Sequence, residues 1–82
     1  MTIMFQYYQK KYKIFDANDN LVYNVYGSFI DFCKENKLPI DALKNSHRNN
    51  GKRIYTTLGS NEKRLNDNGM LKYKGWYAIR AE

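Results

Sequence analysis

This 82-residue chain is short of several things, and each shortage excludes something. A single cysteine, Cys33, rules out an internal disulfide and fits a reducing, cytoplasmic setting. One cysteine and one histidine, His47, are too few for an ordinary zinc site, so neither metal nor cofactor is expected. No apolar run approaches the roughly 18–20 residues that span a bilayer, and no membrane partner is expected. The opening "MTIMFQYYQKK" lacks a basic region followed by an apolar one, as a secretory signal would need. Acidic residues are scarce as well: eight Asp and Glu face fourteen Lys and Arg, a net charge of +6. That excess favours an acidic partner, nucleic acid first.

What is present is aromatic. Four Phe, eight Tyr and one Trp supply the large apolar surface of a single small domain over residues 1–82. No linker or internal repeat divides it. Residues 1–9 read as a lead-in. "KYKIFDA" (11–17) and "LVYNVY" (21–26) flank the turn cluster "NDN" and read as a β-hairpin. Ser28, with Asp31 three residues on, is a capping-box-like helix start. Phe29, Ile30, Phe32 and Cys33 then share an apolar arc, with Cys33 expected in the core. Asp31, Lys34 and Glu35 face away. Asn36 is expected to close this helix in a left-handed conformation, and Leu38 to plug the core.

Pro39 suits the first position of a second helix, running to about Arg48, and "NNG" (49–51) stops it. Beyond it, "RIYTTL" reads as a strand and "GSNEKRLNDNG" (59–69) as a polar loop with an Asn68-Gly69 turn. "MLKYKGWYAIR" reads as a final strand. Leu71, Tyr73, Tyr77 and Ile79 take one face; Lys72, Lys74, Trp76 and Arg80 take the other. The expected fold is α+β: an N-terminal β-hairpin, a helix-turn-helix-like pair over about residues 28–48, and a C-terminal β-hairpin.

A helical wheel puts Ile40, Ala42, Leu43 and Ser46 inward, with His47 at the edge. Asp41, Lys44, Asn45 and Arg48 form a polar stripe of types that reach base edges: Arg or Lys to guanine, Asn to adenine, Asp to cytosine. The plainer reading is a solvated face with an ordinary Asp41–Lys44 pair. Charge distribution favours the first. Between Lys44 and Arg64, six cations (Lys44, Arg48, Lys52, Arg53, Lys63, Arg64) oppose only Glu62, so five of the six net charges sit there. Lys52, Arg53, Lys63 and Arg64 are the phosphate-contact candidates. The row of Lys72, Lys74 and Arg80 either contacts phosphate or guards an edge strand. Trp76 either covers the helices or stands as an exposed anchor. His47 has neither an orienting carboxylate nor a nucleophile nearby in sequence, so no catalysis is expected of it.

"FIDFCKENKLPIDALKNSHRNNGKRIY", followed by "KYKGWYAIR", resembles a small module of tailed bacteriophages, found as the DNA-binding appendage of phage homing endonucleases and as free-standing proteins. The resemblance rests on Phe32-Cys33, Leu38-Pro39, Ser46, Arg48-Asn49-Asn50-Gly51 and Gly75-Trp76, and spans roughly residues 12–80. It implies a helix-turn-helix-like DNA contact through the second helix and the loop after it. It does not imply cleavage: the chain lacks the paired Gly-Ile-Tyr and Tyr-Ile-Gly core, and one histidine cannot supply a His-Asn-His site. The expectation is non-catalytic binding of double-stranded DNA, with a homodimer as one source of a second contact. The alternative is a small phage protein that binds a host protein and inhibits or redirects it. RNA binding is a third reading, without an RNP-type aromatic motif to carry it.

Overall fold

The computed structural model describes residues 10–81, and the lead-in 1–9 lies outside them. The fold is α+β. Strands β1 (Lys11–Phe15) and β2 (Leu21–Tyr26) form the expected hairpin. The Asp16 carboxylate closes its turn, accepting the N–H groups of Asn18 (2.8 Å) and Asn20 (3.0 Å). Asp19 takes the left-handed angle there, with φ 65°. Helices α1 (Phe29–Glu35) and α2 (Ile40–Arg48) follow. A short 3-10 turn then leads into α3 (Glu62–Asp67), and β3 (Tyr77–Arg80) ends the described fold.

The C-terminal hairpin does not form. Instead β3 returns to β1, giving one antiparallel sheet in the order β2-β1-β3. "RIYTTL" is not a strand, because Tyr55 sits at φ 55° and turns the chain. Only Ile54 keeps a ladder-like pair, donating to Trp76 O and accepting from Gly75 N, both at 2.8 Å. The polar 59–69 segment is not all loop. It holds α3, whose one apolar residue, Leu65, leaves no periodicity to read.

The last segment runs as a strand only from Tyr77, after a 3-10 turn at Leu71–Tyr73. Its inner face is also the reverse of the expected one: Ala78 is fully buried, while Tyr77 and Ile79 are half-exposed. Small Ala78 is inside because α2 packs directly over it. Trp76 is half-buried, edge-on to Tyr73 at 4.8 Å.

The helix boundaries follow local chemistry closely. Ser28 Oγ accepts the Asp31 N–H at 3.2 Å, as its N-cap position requires. At the far end of α1, Lys37 rather than Asn36 takes the left-handed position, with φ 55°. Leu38 N–H then reaches back to Cys33 O at 2.9 Å, and Lys37 N–H to Lys34 O at 3.3 Å, a Schellman closure. Asn36 instead bonds Phe32 O through its side chain. Pro39 precedes α2 rather than opening it: ψ 96° leaves it extended, though its C=O accepts the Leu43 N–H. The fixed φ of proline serves either position. Asn50 (φ 58°) and Gly51 (φ 83°) stop α2, with Gly51 N–H on Ser46 O at 2.8 Å.

One core joins these pieces: Tyr12, Ile14 and Val25 from the hairpin, Phe29 and Cys33 from α1, Leu38, Leu43, Ile54, Tyr73 and Ala78. Ile30 departs from the expected arc and is exposed. Cys33 is fully buried, and burial pushes its thiol up to about 11. No helix among the described residues is long and apolar enough to cross a membrane.

Candidate nucleic-acid interface

Ser46 fixes α2 against the sheet. Ala81 N–H donates to Lys11 O, so by antiparallel alternation the Ala78 N–H points to the other edge of β3. There it donates to Ser46 Oγ at 2.8 Å, and Ser46 Oγ donates on to Lys52 O at 2.6 Å. Ser46 is the one buried polar residue of the described fold, and both roles of its hydroxyl are used. The next loop crosses to the opposite sheet face. A Cβ on Gly51 would lie 2.8 Å from Ile79 Cγ2, so only glycine fits there.

With Ser46 and Leu43 turned in, α2 presents two ridges. Asp41, Asn45 and Asn49 form one, and Lys44 and Arg48 the other. Asp41, Asn45 and Arg48 are exposed and Lys44 is half-buried. The stripe anticipated from the helical wheel is thus on the surface, but Lys44 and Arg48 border one hollow, Asn45 another, and Asp41 neither.

Lys44 and Arg48 border an open hollow of about 930 Å³, together with Lys10, Arg80, His47, Tyr12, Phe29, and Gly27 to Ile30. Its base is aromatic. The His47 ring lies 4.8 Å from Tyr12 and 5.0 Å from Phe29, and those two rings are 4.8 Å apart. Burial, and then the positive charges of Arg48, Arg80, Lys44 and Lys10, hold His47 below its ordinary pKa. An imidazole so placed resists taking up a proton.

Asn45 borders a smaller hollow of about 260 Å³ with Asn49, Lys52, Tyr55 and Ile54. Burial raises the Tyr55 pKa; Arg64 opposes that shift and Asp41 adds to it. Tyr55 therefore lies within electrostatic range of both.

The phosphate-contact candidates separate. Lys52 is exposed on the loop after α2. Lys63 and Arg64 lie exposed on α3, where Lys63 pairs with Asp67 at 3.3 Å. Such an exposed pair holds the lysine weakly. Arg53 is committed within the fold. Its guanidinium donates to Gly75 O (2.9 Å), Ala17 O (3.2 Å) and the Asp19 carboxylate, and lies over the Tyr77 ring at 4.8 Å. Tyr77 OH donates to the same carboxylate oxygen at 2.9 Å. These bonds to Tyr77 and Arg53 hold Asp19 below the usual carboxylate range.

The sequence singles out neither Lys10, which lies between the lead-in and the first strand, nor Asn49, which counts there only as part of the helix stop. It placed Arg80 in a row with Lys72 and Lys74, but those two precede β3 and do not share its face. Only the return of β3 to β1 brings Lys10 and Arg80 to the end of α2, and no local signal announces that pairing. Among the described residues no group of three or more His, Cys, Asp or Glu could hold a metal ion. No family model, curated protein or solved structure matches this chain.

Proposed function

We propose that this protein binds double-stranded DNA without cleaving it, through α2 and the basic loops around it, in the host cytoplasm if it is phage-encoded. The observation that carries this reading is the exposed face of α2. It offers Asp41, Lys44, Asn45 and Arg48 side by side on a helix braced from behind by the sheet. A helix so braced can be presented to a major groove, where amide and guanidinium groups read base edges and flanking cations meet phosphates. Lys52, Lys63 and Arg64, all exposed, contribute phosphate contacts in this reading. Arg53 acts by holding the β1–β2 turn to the rest of the fold. The resemblance to phage DNA-binding appendages points the same way.

The test is binding of the pure protein to random-sequence duplex in a salt series. Affinity should fall steeply and linearly on a log–log plot. A protein that ignores duplex DNA but is recovered with one defined host protein after nuclease treatment would instead be the inhibitor or adaptor considered above.

A further inference from the structure

The two ion pairs of the described residues, Arg53–Asp19 and Lys63–Asp67, both lie away from the larger hollow. The side chains of Lys10, Lys44 and Arg48 have no hydrogen-bond or ion-pair partner among the described residues. Among the described residues no carboxylate lines the hollow, although four cations and the only histidine do. These cations come from three separate places: Lys10 ahead of β1, Lys44 and Arg48 on α2, and Arg80 at the end of β3. Like charges repel, so gathering Lys10, Lys44 and Arg48 around one concavity costs stability unless an anion joins them. We propose that this hollow is a seat for a backbone phosphate group, with Lys10, Lys44, Arg48 and Arg80 as its rim and Tyr12, Phe29 and His47 as its floor.

Phosphate is the anion the chemistry favours. The guanidinium fork of Arg48 matches its tetrahedral oxygens, and the lysines add point charge. An aromatic floor gives a neighbouring sugar or base an apolar surface. The hollow is open and much larger than one phosphate, as a continuous strand requires. This assignment rests on the duplex-binding reading for the source of the phosphate, and it deepens that reading. The Lys44–Arg48 ridge then grips the backbone, and base reading falls to Asn45 and its neighbours.

His47 reports on the seat. The groups facing it are Arg48 and Lys44 from α2, Lys10 and Tyr12 from the β1 side, Phe29 from α1, and Arg80 from β3. Among the described residues all the charges facing it are positive. A bound phosphate offsets these charges, so His47 gains affinity for a proton when the seat fills. By linkage, binding then tightens as pH falls through the His47 titration.

Because His47 is the only histidine, its ring signals in NMR are unambiguous. Its titration would be followed in the free full-length protein, and with random 16-base-pair duplex, inorganic phosphate or polyglutamate. Duplex binding would be scored separately by mobility shift. The expected result is a rise of about one pH unit in the His47 midpoint with saturating duplex. That rise should be lost in Lys10→Gln/Arg80→Gln, whose folding is checked by circular dichroism. Duplex affinity should rise severalfold from pH 7.5 to pH 5.5 in the native protein but not in His47→Asn. If duplex binds and the His47 midpoint does not move, the seat is overturned while DNA binding stands. If duplex does not bind but inorganic phosphate raises the midpoint, the seat stands and the DNA reading falls. A response to polyglutamate alone, or to none of the three, overturns the seat.

Discussion

The two sides of α2 differ in kind. On one side Lys44 and Arg48 join Lys10, Arg80 and His47 around an aromatic floor, with no carboxylate among the described lining residues. On the other, Asn45 and Asn49 join Lys52 and Tyr55, with Asp41 and Arg64 in range. One side is charge from distant parts of the chain; the other sets the amides of Asn45 and Asn49 beside Lys52 and Arg53, all from one continuous stretch. Charge attracts any polyanion, whereas amides discriminate only at short range and in fixed geometry. A single nine-residue helix can therefore carry both tasks if its back is rigid, and Leu43 and Ser46 supply that back.

The most destructive way to break the comparison is to remove the shared support. Leu43 is fully buried under both sides. Leu43→Ala should lower stability by about 2–5 kcal/mol in urea titration and abolish both modes of binding together. Ser46→Ala is milder, because the side chain is nearly isosteric. It leaves the Ala78 N–H and Lys52 C=O without their hydroxyl partner and should cost about 1–3 kcal/mol.

Subtler changes should separate the two sides. Asn45→Ala should cost about 1–3 kcal/mol on a preferred duplex selected from a random pool, and little on random DNA. If affinity for both is unchanged, α2 is not the reading element. Lys52→Ala should weaken all sequences alike and reduce the salt slope by about one unit.

The smallest effect is one of pH on the folded protein alone. His47 has a lowered pKa in the fold, so the unfolded chain takes up the proton first as pH falls. Stability from this group is present above its ordinary pKa and is lost as pH drops through that value towards the folded one. Urea midpoints should therefore decline modestly from pH 7.5 to 5.5, and less so in His47→Phe. Bound anion should reverse the trend, since it raises the same pKa.

The hairpin, the Ser28 cap, the buried Cys33 and Leu38, and the end of α2 at "NNG" were all readable from the sequence. Each depends on residues within a few positions of one another. The exposed stripe on α2 was readable for the same reason. What failed was non-local. Alternation in "MLKYKGWYAIR" suggested a long strand paired with its neighbour, but the 3-10 turn at Leu71–Tyr73 shortens it and β1 is its true partner. The left-handed Tyr55 is equally silent in sequence, because nothing about a tyrosine announces φ 55°. Arg53 looked like one more surface cation, and its acceptors Ala17, Asp19 and Gly75 lie far away along the chain.

The return of β3 to β1 also bears on the order in which the protein assembles. Ile14 pairs with Ala78 across nearly the whole described chain, whereas the β1–β2 hairpin and both leading helices close over short separations. Closing the longer loop sacrifices more chain entropy before any contact rewards it, so β3 should dock late. Its arrival joins the Ser46 hydroxyl to the Ala78 amide and carries Arg80 to Lys44 and Arg48. In amide exchange, Ala78 and Ile79 should open together with the Ser46 hydroxyl bond, while the β1–β2 hairpin remains protected. The cationic hollow would then exist only in molecules whose final strand is home, making its occupancy a readout of completed folding.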